Sequence, residues 1–313
     1  MTIEAQLYQA GEMLDWTADA AYSAGAVVQL RDGRAGVVST DVASGAVVGV
    51  HTKGVFTVQK TATMVMLKGS QLHWDHSANK AHLLHVNDRD FYLGTVEVAA
   101  ASADTTVKVA LNEKPVYTVG FDSGYVSVPV SSAGWTNVQG CGGGFVTGSF
   151  DLAIEAQKVD ALSLRGMAVE SLSYVDVLVC INTNGDDAAF DLNVGIANGT
   201  HATDADSITE SLFVHVDGAS LNILLESDDG TTEVAATDTT VDAVAGTTFL
   251  VQFDVSDTAD IQAYVNGVNV LPNSVFKLNA ATGPLKALFH MEKSSNDSPG
   301  NVTAFVGART AQV

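Results

Sequence analysis

A recurring unit constrains this chain more than anything else in it: a short β-branched run, a glycine-marked turn, and a second such run. Its clearest instance is Asp41 to Lys60, DVASGAVVGVHTKGVFTVQK. There Val47 to Val50 and Val55 to Val58 predict strands, and His51-Thr52-Lys53-Gly54 predicts the turn between them. Upstream, Tyr22-Ser23-Ala24-Gly25 leads into Ala26-Val27-Val28, and Arg31-Asp32-Gly33-Arg34 separates that run from Ala35-Gly36-Val37-Val38. Downstream, Gly69-Ser70 enters Gln71-Leu72-His73-Trp74-Asp75. From Gly11 to Leu111, turns at intervals of roughly ten residues predict a small β-barrel or sandwich. The one helix expected is a short one near Ala18 to Ala24.

Lys114-Pro115 ends this region, because proline cannot continue a central strand. Beyond it the alternating segments lengthen. In Phe249 to Val255 the odd positions are apolar and most even ones polar, which predicts one buried and one wet face. Ile261 to Val265 meets Val268 to Leu271 across Asn266-Gly267, the strongest two-residue hairpin signal because both residues tolerate positive φ. Leu285 to Met291 and Val302 to Arg309 supply a final pair. Earlier strands are expected over Phe145 to Ile154, Val175 to Ile181, Asp191 to Ile196, Leu212 to Val216 and Leu221 to Leu225. So many strands without a strong helix give an all-β chain. Its expected parts are an N-terminal arm (1–10), a small β-barrel or sandwich domain (11–115) and a larger antiparallel jelly-roll β-sandwich (116–313).

Charge divides the two domains. Of a net −21, residues 1–115 hold 9 Lys and Arg against 12 Asp and Glu, whereas residues 116–313 hold 6 against 24. Such a surface repels a phosphate backbone, so no nucleic-acid partner is expected. No apolar run of about 18 residues is present and the N-terminus lacks a basic start followed by an apolar core, so neither a membrane span nor an export signal is expected. Acidity also keeps a valine-rich β protein soluble.

Motifs that carry chemistry are few. His73, His76, His82 and His85 fall in one stretch, but neither His73 with His76 nor His82 with His85 shares a strand face, so a polar hairpin rim is expected rather than a metal site. Cys141 and Cys180 match no disulfide framework or zinc spacing and are expected to be buried thiols. Gln139-Gly140-Cys141-Gly142-Gly143-Gly144-Phe145 lacks the Lys-Ser/Thr of a phosphate loop. The acidic pairs Asp186-Asp187 and Asp228-Asp229 are expected in turns facing water, and Asn182 to Asp187 misses the spacing of established calcium loops. With no Gly-x-Ser-x-Gly elbow or His-Glu-x-x-His, no enzyme, metal or cofactor is expected.

The segment Met1 to Ala10 alternates Ile3, Ala5 and Leu7 with Thr2, Glu4 and Gln6 and has no partner strand nearby in sequence. A free terminal strand of this kind is either a frayed or locally docked tail or an extended arm that adds itself to a sheet elsewhere.

The order of parts in the first third resembles the head-decoration (cement) proteins of tailed phages. The resemblance is carried by Leu14-Asp15-Trp16-Thr17, Tyr22-Ser23-Ala24-Gly25, Thr40 to Gly45, Gly54-Val55-Phe56 with Lys60, Trp74-Asp75, Leu93-Gly94-Thr95-Val96 and the run Thr106 to Leu111. It departs at His76, where another acidic or polar turn residue is expected. The resemblance implies a virion protein, made in the host cytoplasm, that docks as a homotrimer on the major capsid protein at the outer surface of the head. The expected capsid-binding residues are Thr2, Ile3, Ala5, Leu7 and Tyr8 of the arm, with Trp16. The closing segments, Ile261 to Leu271 and the last strand pair, resemble the concanavalin-type sandwich of lectins and phage surface proteins. That resemblance implies an alternative, a carbohydrate-binding adhesin whose second domain takes a glycan.

Overall fold

The computed structural model describes residues 12–117, 119–120, 125–129, 137–139, 149–152, 157–163, 166–184, 190–201, 204–218, 220–293 and 300–310. The chain forms two compact units, Met1–Val116 and Tyr117–Val313. Both are built from antiparallel strands, and among the described residues the helical content is limited to single 3₁₀ turns such as Val169–Ser171 and Ala205–Ser207. No helix among them is long and apolar enough to cross a membrane.

Among its described residues the first unit has nine strands: β1 (Met13–Thr17), β2 (Val27–Gln29), β3 (Ala35–Val38), β4 (Val47–His51), β5 (Val55–Gln59), β6 (Gln71–Asp75), β7 (Lys80–His82), β8 (Phe91–Val98) and β9 (Thr106–Leu111). They make two sheets, ordered β1-β4-β3-β2 and β5-β9-β8-β6-β7. The two strands predicted in the Asp41 to Lys60 stretch both form, but in different sheets, so Thr52 to Gly54 is a crossing between sheets. Asn112 fastens this crossing. Its side-chain amide accepts from the Ala35 amide (2.9 Å) and donates to the carbonyls of Ala35 (2.9 Å) and Thr52 (2.8 Å), satisfying backbone groups that neither sheet pairs. The glycine turns repeat as predicted: Gly25 and Gly45 each take a positive φ, 84° and 80°, and the turn closes through Ala26 N–H to Ser23 O and Ala46 N–H to Ala43 O.

The helix expected at Ala18 to Ala24 does not form. Tyr22 exchanges both backbone hydrogen bonds with Val42 (2.9 and 2.8 Å), and Ala18 N–H donates to Ala46 O (2.9 Å), so the groups a helix would use are committed to a distant segment. Burying Trp16 and Tyr22 against Val28, Val48 and Val50 favours this pairing over local helix propensity.

The second unit continues with β10 (Val119–Gly120), β11 (Tyr125–Pro129), β12 (Asn137–Gln139), β13 (Ser149–Leu152), β14 (Gln157–Ser163), β15 (Leu172–Thr183), β16 (Phe190–Ala197), β17 (Glu210–Asp217), β18 (Asn222–Asp229) and β19 (Glu233–Asp242). It ends with β20 (Thr248–Asp254), β21 (Gln262–Val265), β22 (Val268–Asn269), β23 (Lys286–Lys293) and β24 (Gly300–Thr310). One sheet runs β12-β13-β24-β15-β20-β21-β22 with β10 also on β24, and the other β11-β14-β23-β16-β17-β18-β19. This is an antiparallel jelly-roll sandwich. The core is built by strict alternation: Val175, Val177, Val179 and Ile181 of β15 and Leu192, Val194 and Ile196 of β16 are all fully buried in one cluster. At roughly 1.5–3 kcal/mol for each aliphatic side chain removed from water, this layer is what holds the two sheets together. Every strand expected here has a described counterpart, and β10, β11, β12, β14 and β19 are additions.

Two expectations about wet faces are overturned. Gln252 of β20 is 1% exposed, because it donates to Asp176 (2.9 Å) beneath further side chains on the outer face of its sheet. Asp229 is 2% exposed; it accepts the amides of Thr231, Thr232 and Ala280 and so fastens two loops.

Candidate functional site

In the first unit, β1 and β2 of one sheet and β6 and β8 of the other wall a groove of about 650 Å³. Trp16, Tyr22, Trp74 and Phe91 supply its aromatic surface, and Asp19 and Arg89 its charge. Trp16 is half-buried and tilts against Tyr22 with ring centroids 5.4 Å apart; Tyr22 in turn donates to Asp19 (2.8 Å). That hydrogen bond, with burial, raises the Tyr22 pKa. Trp74 is 6% exposed and its indole N–H has no acceptor. A buried donor beside apolar rings is a surface that one further carbonyl would complete. Trp16 is the one expected capsid-binding residue that the structure describes; Thr2, Ile3, Ala5, Leu7 and Tyr8 lie outside the described residues.

The histidines of this unit serve structure. His73 faces His82 across the β6–β7 pair and meets Tyr92 and His85 edge-on at 6.0 and 5.9 Å. Burial, helped by the charge of His85, pushes its pKa down to about 4, so it is neutral. His82 accepts from Leu84 N–H (3.0 Å), and His85 contacts Asp90 O (2.8 Å). Asp90 closes the adjoining loop by accepting from His76, Val86 and Asn87 amides. Lys60, part of the family-like pattern, is 2% exposed and its ammonium donates to the carbonyls of Met64 (2.6 Å) and Thr61 (3.3 Å).

In the second unit, strand register sets a polar row on the outer face of the β11–β19 sheet: Asp160 opposes His290, His290 opposes Asn193, and Asn193 opposes His215. Asp160 and His290 form a closed pair 2.6 Å apart, 1% and 0% exposed. Around His215 the arrangement is looser and richer in carboxylates. Its Nε2 lies 3.2 Å from Asp191, while Nδ1 lies 3.4 Å from Asp206 and 3.6 Å from Glu226. Asp206 arrives on the Ala205–Ser207 turn, which Asp204 caps by accepting the Asp206 amide (2.9 Å). An apolar contact of Ala205 and Ile208 with Phe213 and Leu288 seats that turn on the sheet. Asn193, fully buried, donates to both Asp206 (2.7 Å) and Glu226 (2.9 Å). Burial opposes charge on His215, but Asp191 and Glu226 outweigh it and raise its pKa to about 11. Burial and the neighbouring Glu226 push Asp206 up to about 6.

The other sheet buries a carboxylate differently. Asp176, 3% exposed, accepts from Arg309 (3.1 Å), Gln252 (2.9 Å) and the Tyr117 hydroxyl (3.2 Å). The Arg309 guanidinium also lies 4.5 Å over the Tyr174 ring. Tyr117 reaches the sheet only because position 307 is glycine, where a Cβ would stand 2.6 Å from its ring.

Sequence reasoning missed the His215 cluster. Its members come from positions 191, 193, 206, 215 and 226, and the parity that gathers them depends on a register no local motif encodes. Cys180, expected buried, is half-buried and donates to Asn182 (3.3 Å); Cys141, the Gly140–Gly144 run and Asp186-Asp187 lie outside the described residues.

No curated protein matches the chain. Among solved structures it is similar to a mutant of the Emp46p carbohydrate recognition domain (8% identity, TM-score 0.40, 59% of this chain and 88% of that one). It is also similar to a chain from a study of endo-acting O-glycanases of the human gut microbiota (9%, 0.42, 63% and 100%). A third is the carbohydrate-binding module CBM66 from Bacillus subtilis (7%, 0.36, 59% and 95%). The jelly-roll assignment rests on the strand order itself. The family model for phage cement proteins matches residues 8–111, the region whose order of turns and strands carries the resemblance.

Proposed function

We propose that the chain is a capsid decoration protein that docks on the outer surface of an assembled phage head through its first unit and stabilises the shell, displaying the acidic sandwich to solvent. The match of residues 8–111 to phage cement proteins carries this reading. Charge supports it: a first unit near neutrality approaches a protein shell with less repulsion than a second one with 24 acidic against 6 basic residues. The aromatic groove at Trp16 and Trp74 is the surface we assign to a capsid-protein segment, with the free indole N–H of Trp74 donating to its backbone.

The arm, residues 1–10, adds a strand to a capsid-protein sheet, with Ile3 and Leu7 entering apolar pockets. Three copies joined as a trimer multiply weak contacts into avidity. The test is co-sedimentation of the full chain with purified undecorated heads. The wild type is retained, whereas deletion of residues 2–8, or Ile3→Asp with Leu7→Asp, leaves the fold intact and weakens retention by roughly two orders of magnitude in a multivalent assembly. Retention unaffected by the deletion would remove the arm from the reading, and no retention of the wild type would remove the reading itself. In that case a glycan array on the same protein addresses the adhesin alternative.

A further inference from the structure

We propose that Asp206, His215 and Glu226 bind a divalent transition-metal ion of the zinc class, a function separate from capsid docking. The inference starts from His215. Its side chain is nine-tenths buried, and Nδ1 has no hydrogen-bond partner although Asp206 and Glu226 oxygens lie 3.4 and 3.6 Å away. Those separations are long for hydrogen bonds. They suit ligands on one ion, because bonds of about 2.0–2.1 Å in tetrahedral geometry hold ligand atoms roughly 3.3 Å apart. One ligand atom from each of the three residues lies within 4.8 Å of the others.

The surroundings are arranged as an outer shell. Asp191 Oδ1 lies 3.2 Å from Nε2, where its charge favours the proton on that nitrogen and leaves the Nδ1 lone pair to face the other two carboxylates, the role of the carboxylates found behind metal-bound imidazoles. Asn193 donates to Asp206 Oδ1 and Glu226 Oε1, which orients both carboxylates and leaves Glu226 Oε2 towards the histidine. Three carboxylates converge on one imidazole here, more negative charge than a single protonated imidazole offsets. An imidazole nitrogen with two carboxylate oxygens favours zinc-like ions over calcium or magnesium, which take all-oxygen sets. Asp206, 38% exposed in its side chain, provides the way in from solvent. The bound ion ties the Ala205–Ser207 turn to β17 and β18 and keeps a fourth position open to water or an oxygen ligand.

The experiment is calorimetric titration of the EDTA-dialysed full chain with ZnCl₂, with CaCl₂ as the contrasting probe and native mass spectrometry for stoichiometry. The expected result is one saturable zinc site, with Kd on the order of micromolar or tighter, and no saturable calcium binding. His215→Ala removes the site, and Asp191→Asn weakens it by about 10- to 100-fold through the histidine. Should His215→Ala fail to fold by circular dichroism, Asp206→Asn on the exposed turn decides the matter, with at least a tenfold loss expected on the order of a lost ligand. No saturable zinc binding, equal binding of calcium, or a zinc site of unchanged affinity in Asp206→Asn overturns the proposal.

Discussion

The second unit buries carboxylates on the outer face of both its sheets and compensates them in opposite ways. At Asp176 the compensation is permanent: a guanidinium that never loses its proton, an amide and a phenol all donate to one carboxylate. At His215 three carboxylates share a group whose charge is conditional, and its inward nitrogen is left without a hydrogen bond. In the first arrangement the carboxylate is met by a fixed cation and two further donors, while in the second the carboxylates outnumber the one group that can carry a positive charge. The difference lies in the group that answers the carboxylate charge, a permanent guanidinium in one and a titrating imidazole in the other.

The largest test of this contrast is Arg309→Met. It keeps the stem of the side chain but strands Asp176, and should destabilise the second unit by about 3–5 kcal/mol in denaturant unfolding. Adding Asp176→Asn should recover most of the loss; if the double variant is no better than the single one, Arg309 acts through packing on Tyr174 instead. A middle-sized test uses His73, which is the opposite of His215 because its pKa is held down to about 4 rather than up. A base whose folded pKa lies below the ordinary 6.5 contributes stability that is whole above pH 6.5 and lost as pH falls towards 4. From pH 7 to 5 the first unit should lose on the order of 1–2 kcal/mol, and His73→Gln should flatten that slope in calorimetric melting. The smallest effect is that of Asp206→Asn in EDTA. Removing one of three crowded carboxylates should change stability by no more than about 0.5 kcal/mol, with a small gain favoured. A loss as large as that of Arg309→Met would mean that His215 already closes its cluster as fully as Arg309 closes the other.

Much of the fold was legible because its signals are local. Asn266-Gly267 forms the turn between β21 and β22 with φ of 49° and 79°, as the dipeptide predicts. The alternation in β20 identified Phe249, Val251 and Phe253 as core. What could not be read depends on partners far away in sequence. Gln252 is dry because Asp176 and Tyr117 meet above its strand, and nothing near position 252 announces them. β19, EVAATDTTVD, is a largely exposed strand with few apolar residues, so it lacks the alternation by which its neighbours were found. Ala18 to Ala24 read as a helix because alanine favours one, and lost to pairing with Val42 and Ala46. The groove was half legible. Trp16 and Trp74 belong to the family-like pattern, but that they wall one cavity follows only from the placement of two sheets.

The strand order also sets a timetable. β23 and β24 are the last two strands of the sequence, yet each lies third of seven in its main sheet path, between β14 and β16 in one and between β13 and β15 in the other. A nascent chain halted before Lys286 therefore holds two sheets, each split into a pair of strands and a larger block with no ladder to join them. The first unit needs nothing from that region for its own strand pairing and can assemble earlier, in keeping with the tendency of domains to fold from the N-terminus during synthesis. β23 and β24 are thus the strands that join each sheet of the sandwich into one ladder.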